Sequence, residues 1–300
     1  METTPALPNA HQPVRSISLP TRIHPSSQRV EALLKHLKSH GAQSVSSTHY
    51  FEAETIQNDL VVLAELYNCM EELLQSSQTQ QALLHYQNGK LVEDALCGSV
   101  TLLDACGSAR DLLLALKEHV QTLMSALRRR RGDSSIESSI SAYVSFRKKA
   151  KKEIAKQLAA LKQINGKVNS FSLLGEDQNL LFVDRVLREA SIITTSIFRS
   201  LLLFLSMPGL KAKESSLLSK LIPTRLLSSE KEPKISGEVA LMCSLLGKLT
   251  RNSDGKIEVE GTQRGLETLN ASIDGLESGL DCIFRCLVKN RVSFLNMLTH

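Results

Sequence analysis

Val92, Ala95, Ser99, Leu102, Cys106, Ala109, Leu113, Leu116, Val120, Leu123 and Leu127 follow one another in ten steps that alternate three and four residues. Such spacing keeps one face of an α-helix apolar over its whole length, about 60 Å at a rise of 1.5 Å per residue. Ser99 is the polar exception. Arg128, Arg129, Arg130 and Arg131 come next and set four positive charges against the negative end of the helix dipole. Gly132-Asp133 then stops the helix, and Ser134 or Ser135 can cap its successor.

The same rhythm recurs on both sides. Ile56, Leu60, Leu63, Tyr67, Met70 and Leu74 step by 4, 3, 4, 3, 4, and Leu266, Leu269, Ile273, Leu276, Leu280, Ile283 and Leu287 by 3, 4, 3, 4, 3, 4, with Phe294 beyond. Between them the pattern predicts helices over 135–168 and 176–207. Shorter ones are expected at 28–40, 78–87, 215–221 and 237–250, with a Ser-rich break at 41–48. Residues 1–27 hold five of the eight prolines and no periodicity, and read as a disordered arm. The remainder, 28–300, reads as one helical-bundle domain with a loop-rich connection at 208–237. The last helix is expected to run antiparallel to earlier ones. Heptads also suit a coiled-coil homo-oligomer, but the breaks at 132, 175 and 208 let the stripes satisfy one another within the chain.

Composition agrees with an all-α class. Of 300 residues 42% are apolar, only 4% are aromatic and none is Trp, so Leu carries the core. The six cysteines contain no Cys-x-x-Cys pair and several fall on apolar stripes, which reads as buried free thiols in a reducing compartment. No apolar signal-peptide stretch opens the chain, so the expectation is an intracellular, cytoplasmic protein, with peripheral membrane attachment open. The most lipophilic stretch, 192–207, falls short of a membrane span and reads as a buried bundle helix. Asn270-Ala271-Ser272 matches a glycosylation sequon that is inert without secretion.

No catalytic, metal or cofactor site emerges. The eight histidines form no motif with a nucleophile, and glycine-rich phosphate loops are missing. His36 and His40 share a helical face, and Cys282 and Cys286 stand four apart, but neither pair has the further ligands a metal site needs. Asn252-Ser253-Asp254-Gly255-Lys256-Ile257 imitates the middle of an EF-hand loop. Its first and twelfth ligand positions are Thr250 and Gly261, so it reads as a turn.

Charge is more informative. From Arg147 to Lys167 stand eight basic residues and one Glu, a local +7 in a chain of +5, leaving −2 for the rest. Arg147, Lys148, Lys149, Lys151 and Lys152, with the Arg128–Arg131 block, are candidates for binding an acidic protein or an anionic membrane surface; calmodulin also fits. The alternative is a solvated bundle face. Nucleic acid is disfavoured because no binding module surrounds the helix. In the arm, Arg15-Ser16-Ile17-Ser18-Leu19-Pro20 fits the Arg-Ser-x-phosphoSer-x-Pro pattern bound by 14-3-3 proteins, in which Arg clusters capture the phosphate. Ser16, Ser18 and, in Arg131-Gly132-Asp133-Ser134, Ser134 are the candidate phosphorylation sites.

The order of several segments resembles the plant-specific Bypass-related family, formerly catalogued as a domain of unknown function. They are Arg15 to Pro25, Leu66-Tyr67-Asn68-Cys69-Met70, Gly98-Ser99-Val100-Thr101-Leu102, Leu127 to Arg131, Tyr143 to Lys152, and Phe284 to Leu298. Leu91 and Cys286 depart from the residues expected there, Trp and a basic residue. The resemblance implies a role in root and shoot development through restraint of a root-derived mobile signal, with no established enzymatic activity. Three readings follow: a non-enzymatic helical interaction module, a peripheral regulator on anionic lipid, and an unrecognised enzyme of signal metabolism. The last requires a pocket lined with converging polar groups, which a core built wholly of leucine would contradict.

Overall fold

The structure is a computed structural model and describes residues 25–44, 52–85, 90–129, 133–168, 178–206, 239, 242, 245, 246 and 256–299. All its regular elements there are helices: α1 (Pro25–Ser44), α2 (Ala53–Leu74), α3 (Ser77–His85), α4 (Lys90–Arg128), α5 (Asp133–Val168), α6 (Gln178–Ser206) and α7 (Lys256–Thr299). The arm before residue 25, the connection at 208–237 and the helix expected at 215–221 lie outside the described residues.

Boundaries differ from expectation most clearly at α1, α5 and α7; α5 starts on Asp133, so Ser134 and Ser135 lie inside its first turn instead of capping it. Helix α1 starts on Pro25, whose fixed φ suits a first helical position, and it continues through Gly41 instead of stopping there. Helix α7 starts ten residues before its first stripe leucine, so Lys256 and Ile257 are helical and only the earlier part of the EF-hand-like segment remains available for a turn. Val239, Met242 and Leu246, spaced three and four apart, are buried against the core.

Long helices alternate in direction, and named contacts fix each pair. Ser26 donates to Glu72 and Arg29 to Glu65, so α1 and α2 are antiparallel. Arg110 pairs with Asp281 at 2.6 Å, Lys117 with Asp274 at 2.8 Å and Glu277 at 2.6 Å, and Arg128 with Glu267 at 3.2 Å, a ladder that runs α4 against α7. Exposed pairs contribute little individually, but together they select one register. Helix α7 is therefore antiparallel to α4 as expected, yet it lies parallel to α2. Gln57 reaches the Ser272 carbonyl, and further along both helices Asn290 reaches that of Tyr67. An up-and-down chain puts its second and last long helices in the same sense.

Helices α2, α4, α6 and α7 enclose the core, and α1 and α5 pack on its flanks against α6. The stripes meet inside it: Leu60, Leu113, Leu116, Phe198, Leu201, Leu269 and Leu276 are all fully buried. At Gly275 and Gly279 α2 comes so close that a Cβ on Gly279 would sit 3.0 Å from Leu60 Cδ1. Helix α6 is long and apolar enough to cross a membrane, but 72% of its most apolar stretch is buried by its neighbours. A second, smaller apolar cluster, including Leu73, Val92, Val183 and Phe294, closes the end of the bundle under α3.

Candidate functional site

The sequence-derived candidates fall in different environments. Arg15, Ser16, Ser18 and Pro20 lie outside the described residues, as do Arg130, Arg131 and the side chain of Ser134. Arg128 joins the ion-pair ladder through Glu267, whose carboxyl is held low by hydrogen bonds first from Gln263 and then from Arg128. Arg129 folds back on its own helix, donating from Nε to the Ser125 carbonyl at 3.1 Å.

Within the basic run, Arg147 separates from its neighbours. It is 8% exposed and donates from Nη1 to the carbonyl of Leu205, in the last turn of α6. A helix leaves its last four carbonyls unpaired, and a cation there also meets the negative end of the dipole. Arg147 is thus a buried interhelical cap and is removed from the proposed anionic surface. Lys148, Lys149 and Lys152 are exposed and Lys151 is half-buried, and none of the four is ion-paired among the described residues. Further along, Lys156 has an acidic neighbour, Glu153 at 3.9 Å.

The histidines and cysteines add no metal centre: among the described residues no three His, Cys, Asp or Glu side chains converge. His36 and His40 stack at 4.8 Å, with His40 turned to Asp59, whose carboxyl is pushed up by burial. Cys69, Cys106 and Cys286 are buried free thiols, Cys106 on the α4 stripe itself, and Cys282 is half-buried. Cys97 is exposed, contrary to the expectation of buried thiols, because it sits on α4 beside an opening in the bundle.

That opening is a groove of about 450 Å³ at the α3 end of the bundle. The start of α4, the end of α5, the start of α6 and the end of α7 form its walls, and Tyr67 and Met70 of α2 form its floor. It lies between the two apolar clusters, where the stripes change character. On α4 the stripe shrinks to Ala95 and Ser99 with Gly98 beside them, and on α7 the register position between Leu287 and Phe294 is Asn290. On α6 the buried residue is Asp184. Of these only Ser99 stands out as an exception in the sequence; alternating helix directions bring them to one level. The core is therefore not wholly leucine.

Polar groups here are fixed by one another. Arg188 Nε lies 2.8 Å from both carboxylate oxygens of Asp184. Arg291 Nη1 donates to the Leu96 carbonyl at 2.7 Å and to Ser99 Oγ at 2.8 Å. Asn290 Nδ2 donates to the carbonyls of Tyr67 and Cys286, both at 3.1 Å, which fixes the amide orientation; Oδ1 has no donor among the described residues. Thr194 gives its proton to the Ala190 carbonyl, so the Tyr67 hydroxyl donates to Thr194 Oγ1 at 3.0 Å. Burial pushes the Tyr67 phenol up to about 12. No histidine lines the groove, so Cys97 has no imidazole base within it.

These features define an all-α up-and-down bundle with one lysine-rich outer face and one mixed polar–apolar groove. A family model described as Protein BPS1 matches residues 59–297, and the chain belongs to that family, the Bypass-related one. The molecular function of the family is unknown, and membership implies a regulator of plant development. No curated protein and no solved structure matches it significantly.

Proposed function

We propose that the chain is a non-enzymatic regulator of root and shoot development that works as a helical interaction module, docking an acidic protein surface through α5. The observation that carries this reading is the set of Lys148, Lys149, Lys151 and Lys152 on an outer helix, without ion pairs among the described residues. An unneutralised cluster creates a local potential that steers an anionic partner, and its cost in self-repulsion is relieved on binding. Replacing the four by Glu should leave the melting temperature within about 3 °C, as surface changes do. In proximity labelling in plant cells the variant should lose a defined set of acidic partners. If it keeps them, the lysine face is not the docking surface. Salt-sensitive co-sedimentation of the wild type with anionic vesicles alone would shift the reading to lipid.

The arm supplies a second, phosphate-dependent contact in this reading. Arg15-Ser16-Ile17-Ser18-Leu19-Pro20 combines a basophilic kinase site with the Arg and Pro that flank phosphoserine in the 14-3-3 groove. A peptide covering 11–25 with phosphorylated Ser18 should bind a 14-3-3 protein at least about tenfold more tightly than the unmodified peptide. Equal weak binding of both would remove the arm from the mechanism.

A further inference from the structure

We infer that the groove between α4, α5, α6 and α7 binds a small amphipathic anion, with its acidic head on Arg291 and its apolar body between Met70, Leu102, Ile164 and Phe294. The volume of about 450 Å³ lies within the range of small-molecule sites, and the lining has the usual character of one, apolar walls with a few fixed polar groups.

The charge of the ligand follows from the pairing inside the groove. Asp184 and Arg188 neutralise each other, and Asp94 at the rim faces Lys90 at 3.6 Å. Arg291 is different. Its guanidinium is anchored through Nη1 on neutral acceptors, the Leu96 carbonyl and Ser99 Oγ, and no carboxylate meets it among the described residues. A cation held in place, half-buried beside apolar walls and not neutralised, is a receptor for a carboxylate or another planar anion.

Gly98 provides a clean way to close the site. A Cβ built there meets nothing within 4 Å, so a larger side chain enters open space, and Gly-to-Leu inside a helix favours the helix. The test uses 1-anilinonaphthalene-8-sulfonate as an anionic probe and uncharged N-phenyl-1-naphthylamine as its neutral counterpart. The wild-type chain should bind the anion at one saturable site, at least tenfold more tightly than the neutral probe, and the bound anion should slow maleimide labelling of Cys97, followed by peptide mass. Gly98→Leu should weaken both probes tenfold or more while melting no lower than wild type. Arg291→Gln should weaken the anion tenfold and leave the neutral probe unchanged. The four-lysine variant should bind both as wild type does, which separates this site from the α5 face. Unchanged affinity in Gly98→Leu, equal affinity for the two probes, or no saturable binding would overturn the inference.

Discussion

Arg147→Ala should cost about 2–4 kcal/mol of stability, whereas Lys148, Lys149, Lys151 and Lys152 replaced together by Gln should change it by less than about 1 kcal/mol. Arg147 is buried, its aliphatic stem fills space between α5 and α6, and its guanidinium donates to the Leu205 carbonyl. Truncation removes that packing and leaves a buried carbonyl at a helix end without its donor, and a hydrogen bond from a charged group is among the stronger ones. The lysines lose only solvated charge. Urea titration of the two variants decides the matter: equal midpoints would mean that Arg147 behaves as one more surface cation. Arg147→Lys should fall between, since an ammonium keeps the charge but not the planar fork.

The same residue shows what was legible beforehand. On α5 the buried positions Tyr143, Ala150, Ile154 and Leu161 step around one face, and Arg147 falls in that register, four after Tyr143 and three before Ala150. Composition grouped it with the lysines, but helical spacing already set it apart. The apolar stripes of α2, α4 and α7 were readable almost to the residue because burial along a straight helix depends only on its own period. Where one helix meets another is not periodic information. Ser99 stands out as a polar residue on its stripe, Asp184 and Asn290 do not, and nothing local says that the three share a level. Topology supplies that: α4 and α6 begin where α5 and α7 end.

The groove also changes where function is to be sought. A regular stripe suggests that everything in register is core and that chemistry lies outside it. In this bundle the interruptions of the stripes converge, and their polar groups are bonded to backbone or to each other instead of being exposed. A buried polar network costs stability unless it is satisfied, so Asn290 Oδ1, without a donor among the described residues, marks a place where packing alone is incomplete. The lysines of α5 and the groove are separate features, and the two proposals assign them different partners, a macromolecule for the first and a small anion for the second.

Stability should fall steeply between pH 9 and pH 11. Burial pushes the Cys106 thiol up to about 12, the Cys286 thiol up to about 11 and the Tyr67 phenol up to about 12, and it raises Cys69 as well. Each is neutral when protonated, so burial tolerates the protonated form and resists the anion. In the unfolded chain the thiols ionise near 9 and the phenol near 10. Below those values both states hold their protons and the contribution is fully present. Above them the unfolded state releases protons that the folded state must keep, so stability is lost as pH rises toward the folded values. The slope is about 1.4 kcal/mol per pH unit for each group, and by pH 11 the loss is on the order of 5 kcal/mol, comparable with the whole stability of many domains. Urea midpoints at pH 8, 9, 10 and 11 under reducing conditions measure it. Cys106 is the sharpest single test, because its Sγ is fully buried and directed at the Leu280 carbonyl at 3.7 Å. Cys106→Ala loses some packing equally at every pH but removes one titrating group, so its stability should fall less steeply between pH 9 and 11, by about 1.4 kcal/mol per unit. An unchanged slope in that variant would show that Cys106 ionises alike in both states.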